Sequence, residues 1–346
     1  MAAEARGRAD AFVAYLRDNV GDVDAFLGTA FAGKTDVADL ERYLYGPLAA
    51  YTENGGKRHR PLICLLAARA VGGDPRRALA CAAAIEHFQT AALIHDDIAD
   101  RGQLRRGKPC LHVTEGEGIA INCGDLALVT VAGTVLEDKD LSDALKVRII
   151  GELTDMMRRT TEGQALDLGW VRDGRFDLTC DDYLRMATLK TAYYSGAVPL
   201  ACGALIGGGS EEQVEGLRSF GLDTGLAFQI QDDLLNLVGE KESRDKDFRS
   251  DITEGKRTLV AVHALEHLGG SDRDELVGIL QAETDDAAVL ERAVELFHKA
   301  GSIEHARSYA LDLTRRAKDR LRDLELDDAA REVLLGMADF FVERLN

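Results

Sequence analysis

Across residues 79–100, Ala, Ile, Leu and Phe recur at helical spacing, and the run then meets Asp96, Asp97 and Asp100 at its end. Positions i and i+4 share a helix face, so Asp96 and Asp100 point together, with Asp97 about 100° around. Carboxylates at a helix C-terminus oppose the helix dipole, and within an apolar helix they are costly to bury unless a cation compensates them. No structural need places them there. A second group, Asp232-Asp233-Leu234-Leu235-Asn236, follows the apolar run 220–230 in the same way. Two such groups, with glycine-flanked lysines and arginines elsewhere, point to a cavity in which Mg2+ joins carboxylates to a diphosphate.

Helical spacing pervades the remainder of the chain, and no segment sustains strand alternation. The glycine loop Gly207-Gly208-Gly209 leads into Ser210 and Gln213, the pattern of a capping box. Pro61 stands where a first helical turn tolerates proline. Gly301 can end one helix while Ser302 caps the next. Asp181-Asp182 precedes a helical run beginning near Tyr183, where acids favour the helix N-terminus, so it is assigned to capping. Only five prolines occur in 346 residues, none after Pro199, and no Pro- or Ser-rich linker interrupts the chain. These features predict an all-α fold of ten or more helices, with residues 1–346 forming one domain.

The formal net charge of −18 is spread along the chain, which excludes the basic stripe that nucleic-acid binding requires. An anionic substrate then needs metal ions or a few placed cations. Six cysteines are scattered without CxxC spacing, the usage of reduced, buried thiols in a cytoplasmic protein. Residues 1–22 mix charges with apolar side chains and lack the apolar core of a signal peptide. The apolar stretch 81–95 is too short for a membrane span and contains Glu86 and His87. The expectation is a soluble protein that does not span a membrane.

Further strings recur in order: Gly55-Gly56-Lys57-Arg58-His59-Arg60-Pro61, Arg105-Arg106-Gly107, Gly163-Gln164-Ala165-Leu166-Asp167-Leu168, Lys190-Thr191, Phe228-Gln229 and Asp251-Ile252-Thr253-Glu254-Gly255-Lys256. Each alone reads as a glycine turn, a surface cation or a core Phe. Together, in this order, they resemble the trans-isoprenyl diphosphate synthases, the polyprenyl synthetase family, from about Gly55 to Lys256. The resemblance implies a single large orthogonal helical bundle around a deep central cavity, as a homodimer. It places three Mg2+ between Asp96, Asp97, Asp100 and the facing Asp232, Asp233, around the diphosphate of an allylic substrate (dimethylallyl, geranyl or farnesyl). By the same matching, Arg105, Lys190 and Lys256, with Lys246, contact that diphosphate. Lys57, Arg60 and Arg106, with Gln89 beside them, hold isopentenyl diphosphate. Gly56, Gln164 and Phe228 fall in the matched strings as substrate-site residues, and Thr191 and Gln229 lie near the developing cation.

The chemistry of these residue types agrees with that division. Ionising an allylic diphosphate separates a carbocation from pyrophosphate, so catalysis must stabilise charge on the leaving group; a Lewis-acid metal and preplaced Lys and Arg do so in a water-poor cavity. The cation must then meet the double bond of isopentenyl diphosphate and not water. No strong protein base is evident, which leaves pyrophosphate to take the final proton. Asn236 replaces a third aspartate of the second group, Cys110 stands where Thr is usual, Val260 where Pro often occurs, and Gln89 takes a place often held by His. None removes a phosphate-binding cation.

The same resemblance implies that the helix ending in Asp96 also forms a wall of the elongation tunnel. Family members that make fifteen-carbon products commonly carry a bulky aromatic four or five residues before this aspartate; here Ala92 and Ala91 leave that level open. Phe88 lies two turns below Asp96, about 80° around, as the next obstruction. The expectation is a linear C20 product, geranylgeranyl diphosphate, with a longer chain second. A terpene cyclase has no need of the second diphosphate site that Lys57, Arg60 and Arg106 supply. A non-catalytic regulatory subunit would show lost cations or a degraded first motif.

Overall fold

The computed structural model describes residues 2–238 and 249–342. Among them the chain is helical almost throughout, in keeping with the all-α expectation. The only sheet among the described residues is a hairpin pairing Leu104–Arg105 antiparallel with Lys108–Pro109. Its two turn residues, Arg106 and Gly107, both have positive φ, 53° and 72°, the requirement of a two-residue turn matched to strand twist. The Arg-Arg-Gly string is therefore the tip of a hairpin that thrusts its arginines off the helical scaffold.

Several helix starts follow from local chemistry. Ser210 and Gln213 form the reciprocal capping box expected of them, at 3.2 and 2.8 Å. Thr179 and Asp182 form another before the helix Cys180–Ala187, so the Asp181-Asp182 pair does act in capping. Ser302 departs from expectation. Gly301 is the N-cap, and the Ser302 hydroxyl lies 2.9 Å from Nδ1 of His263. A buried imidazole competes better for that hydroxyl than the water-accessible amides of a first turn.

Helix Leu79–Ala99 packs against both His59–Ala70 and Glu117–Leu136. Helix Glu211–Val238 packs against Ser302–Arg322 and against Thr188–Ala197. The last segment is a ten-residue π-helix, and such wide turns gather at functional sites. Helices cross closely where Gly196 meets Gly221, since a Cβ on either would strike the backbone of the other. All six cysteines are free thiols, five of them buried. Among the described residues one helix, Glu117–Leu136, is long and apolar enough to cross a membrane by length and composition, a property the sequence reading assigned to no segment. It buries Ala120, Cys123, Ala127, Val131 and Val135 while exposing Ile121, Val129 and Leu136.

Candidate active site

The two aspartate groups meet. A cavity of about 510 Å3 is lined by Asp96 from one helix and Asp232 and Asp233 from another, together with Arg60, Arg105, Arg106, Lys190 and Lys256. Gln89, Thr191, Phe228 and Gln229 complete its predicted lining. A second cavity of about 480 Å3 holds Gly56 and Lys57 and shares Arg60, Gln89, Arg106 and Phe228 with the first. The structure thus separates two cationic compartments joined at a common wall.

Most carboxylates here face a cation. Arg105 donates to Oδ1 of Asp97, while Oδ2 of Asp97 is buried without a hydrogen-bond partner. Lys256 lies 3.1 Å from Asp100 and 2.6 Å from Glu254. Lys190 reaches Asp167 at 2.5 Å. Burial works against the Lys190 ammonium, but the Asp167 and Asp96 carboxylates outweigh it and raise its pKa above the ordinary lysine value. Burial also opposes Lys256, with Asp251 and Asp100 overcoming it. Both lysines stay charged throughout the neutral range. Gln164 donates to Asp96 at 3.0 Å.

A chain of side-chain hydrogen bonds runs through the far wall. Tyr183 donates to Asp233 at 2.6 Å, Gln229 donates to the other Asp233 oxygen at 2.7 Å, and Thr191 donates to Gln229 at 2.6 Å. Burial, then the nearby Asp251 charge, pushes the Asp233 carboxyl up to about 8. Asn236 lines the cavity too, but its amide is engaged with the following loop, donating to Ser250 at 3.1 Å and accepting from the Asp251 amide at 3.3 Å. Its carbonyl oxygen thus accepts from the backbone of the loop that follows.

The three positions linked to product length sit outside the cavity lining. Ala91 is buried in the cluster of Phe31, Leu48 and Tyr51, and Ala92 packs half-buried against the main core. Phe88 is buried edge-on to the Tyr194 ring, with centroids 5.6 Å apart. Tyr194 itself lines the cavity, stacked under the Arg60 guanidinium at 4.5 Å. Lys246 lies outside the described residues.

Sequence reasoning passed over Asp167, Asp251, Tyr183 and Tyr194, all in the lining. Asp167 and Asp251 stood within quoted strings. Asp167 follows Gln164 by three residues, hence on the same helix face, which was the available signal. Tyr183 and Tyr194 carried none, because an aromatic at helical spacing reads as core.

The residues fit a divalent ion. Hard oxygen donors suit Mg2+, which is bound through one or two carboxylates completed by phosphate and water oxygens; Asp96 and Asp232, from the two aspartate groups, line the cavity and would supply the protein share. Among the described residues no three His, Cys, Asp or Glu side chains converge into a site closed by protein alone. That is the arrangement expected where substrate completes the coordination.

An all-helical enzyme with a carboxylate- and cation-lined cavity is the class that this fold and site define. The polyprenyl synthetase family model matches residues 41–297. The chain is 43% identical over 290 residues to a short chain isoprenyl diphosphate synthase of Methanothermobacter thermautotrophicus, covering 84% of this chain and 87% of the relative. It superposes on a geranylgeranyl pyrophosphate synthetase of Pyrococcus horikoshii Ot3 with a TM-score of 0.88 and 33% identity, covering 97% and 99% of the two chains. A polyprenyl synthase of Caulobacter crescentus CB15, complexed with calcium and isoprenyl diphosphate, superposes with a TM-score of 0.86 and 30% identity, covering 98% of each. The chain belongs to the polyprenyl synthetase family and is a prenyl-transferring enzyme.

Proposed function

We propose that the chain condenses isopentenyl diphosphate head-to-tail with an allylic diphosphate, dimethylallyl, geranyl or farnesyl, in a Mg2+-dependent reaction giving a linear all-trans C20 product. The observation that carries this reading is the joined pair of cationic compartments, one holding carboxylates from both aspartate groups and the other Lys57 without them. One compartment suits a metal-bound diphosphate and the other a diphosphate held by protein cations alone. A cyclase needs only the first.

Arg105, Lys190 and Lys256 surround the allylic diphosphate and stabilise the charge that develops as it leaves. Three Mg2+ at Asp96, Asp97, Asp100, Asp232 and Asp233 would add Lewis-acid stabilisation of the same group. Lys57, Arg60 and Arg106 hold isopentenyl diphosphate. Thr191 gives its proton to Gln229, so the hydroxyl presents oxygen lone pairs to a developing cation. Leu93, Met186 and Phe228 keep water from it. The exposed apolar side chains Ile121, Val129, Leu136 and Val147 support a homodimer that covers them, and the low thiol reactivity of buried cysteines is in keeping with a cytoplasmic enzyme.

The test is incubation of purified protein with isopentenyl diphosphate, each allylic starter and Mg2+, with mass spectrometry of the products. A C20 diphosphate that vanishes on chelation supports the proposal. Longer linear products retain the chemistry and overturn the chain length. A cyclic hydrocarbon, or no product from folded protein with any starter, refutes the condensation.

A further inference from the structure

Between Lys57 and Arg60 stands a third cation, Arg58, which also lines the second cavity. Arg58 is 6% exposed and adopts a left-handed conformation, φ 46°, ψ 28°. A non-glycine residue is held there only where its surroundings over-determine it. Three acceptors do so: Glu86 at 2.7 Å, the Thr52 carbonyl at 2.7 Å and Asp24 at 3.0 Å. Arg58 is also the N-cap residue of the helix His59–Ala70. The flexible Gly55-Gly56 pair, both at positive φ, lies on its other side.

Glu86 is 4% exposed and sits on the helix that carries Gln89 and Asp96. A carboxylate and a guanidinium this deeply buried give weak net stability, since desolvation offsets their attraction. Their use lies in geometry: the guanidinium fork fixes both distance and angle. Lys57 is exposed at the loop and Arg60 is held by Ser195 at 2.8 Å. The Arg58 anchor ties the segment after the glycine pair directly to the aspartate-bearing helix, beside a longer tie through the hairpin, from the Gly55 carbonyl by way of Arg106 and Arg105 to Asp97.

We infer that Arg58, clamped by Glu86, is a positioning residue that sets the register of Lys57 and Arg60 against Gln89 for isopentenyl diphosphate. This rests on the proposed condensation and assigns a supporting pair to its second diphosphate site. Both residues line the second cavity, but each Arg58 nitrogen already donates to a protein acceptor, so the clamp acts on where Lys57 and Arg60 stand.

The test uses the full-length variants Arg58→Met, Arg58→Lys and Glu86→Gln and the double variant Arg58→Met/Glu86→Leu, each checked for fold by circular dichroism and thermal midpoint. Steady-state kinetics varies each substrate in turn, and calorimetry measures isopentenyl diphosphate binding directly. The single variants are expected to raise KM for isopentenyl diphosphate about 10- to 100-fold, the scale of a misplacement near 1 Å, with kcat and the allylic KM little changed. Arg58→Lys, which retains charge but not the fork, should fall between Arg58→Met and wild type. The apolar double variant should recover thermal stability but not substrate affinity. An unchanged KM for isopentenyl diphosphate in folded Arg58→Met overturns the clamp, as does a parallel shift of both KM values or full recovery of affinity in the double variant. If wild type binds isopentenyl diphosphate without forming product, the condensation fails while calorimetry on the variants still decides the clamp. Absence of wild-type binding refutes both.

Discussion

Gly163 lies on the helix Asp143–Arg172, where it passes the π-helical segment carrying Lys190 and Thr191. A Cβ there would approach the Lys190 backbone nitrogen at 2.2 Å, the Lys190 Cα at 2.6 Å and the Leu189 carbonyl carbon at 2.8 Å. All three obstacles are backbone and cannot rotate away. Restoring ordinary 3.4 Å contact to the Lys190 nitrogen requires a movement of about 1.2 Å. The shift falls on a lysine whose ammonium is fixed by a 2.5 Å contact to Asp167, one turn along the same helix as Gly163. For Gly163→Ala, kcat is expected to fall about 100-fold, as for a misplacement of that size. Overpacking should cost about 1–3 kcal/mol, partly offset by about 1 kcal/mol from the better helix propensity of alanine. Gly169→Ala is the control, since nothing lies within 4 Å of its added Cβ. It should be slightly stabilised and fully active. Rates at saturating substrate, with urea unfolding midpoints for both variants, make the comparison. A Gly163→Ala enzyme as active as Gly169→Ala would show that the close crossing does not position Lys190.

Lys190→Met should reduce kcat about 100- to 1,000-fold, the range for removing one donor aimed at developing charge, and steady-state rates check it; an enzyme retaining most of its activity would remove Lys190 from the leaving-group machinery. His87 is buried with neither ring nitrogen hydrogen-bonded, and burial pushes its pKa down to about 4. Its neutral form contributes stability that is present above the unfolded pKa near 6.5 and lost as pH falls toward 4, up to about 3 kcal/mol. Urea unfolding between those pH values should flatten in His87→Leu, and an unchanged acid slope would refute the assignment. For product length, Tyr194→Leu should lengthen the prenyl chain more than Phe88→Ala, because Tyr194 lines the cavity while Phe88 backs it; mass spectrometry showing the reverse order would make Phe88 the floor.

The aspartates were legible because they break local rules: they sit at a helix C-terminus within apolar sequence, where neither dipole nor burial favours them. Capping by Ser210 and by the Asp181-Asp182 pair was legible for the same local reason. The glycines were not. Gly163 and Gly56 read as turns or as members of a resemblance, and their physical cause is tertiary. A Cβ at Gly163 meets Lys190 backbone, and one at Gly56 meets the Arg106 guanidinium. The π-helix Thr188–Ala197 is equally hidden, since a 3.6-residue period describes its sequence well enough to read as α-helix. Asp167 was missed because an acid on a helix in a chain of net charge −18 is ordinarily a solvated face.

That acidity bears on how the site takes up an anion. Lys190, Lys256 and Arg105 are already engaged by Asp167, Asp100 and Asp97, and the Asp96, Asp232 and Asp233 carboxylates share the cavity. A diphosphate entering alone meets cations whose charge is largely compensated, and carboxylates that repel it. Arrival together with divalent metal would reverse both effects, because Asp96, Asp232 and Asp233 would then face a cation and the basic residues would be free to bind phosphate. Diphosphate affinity should therefore depend on metal far more strongly at this compartment than at the one holding Lys57, where the nearest carboxylate, Glu86, is engaged by Arg58. Calorimetry with inorganic diphosphate should show affinity rising at least about 10-fold on adding Mg2+, equivalent to about 1.4 kcal/mol. The gain should shrink in Asp96→Asn/Asp232→Asn, while metal-free binding of isopentenyl diphosphate stays as in wild type. Equal diphosphate affinity with and without Mg2+ would mean that the basic residues bind phosphate from within their ion pairs, and the charge argument would fail.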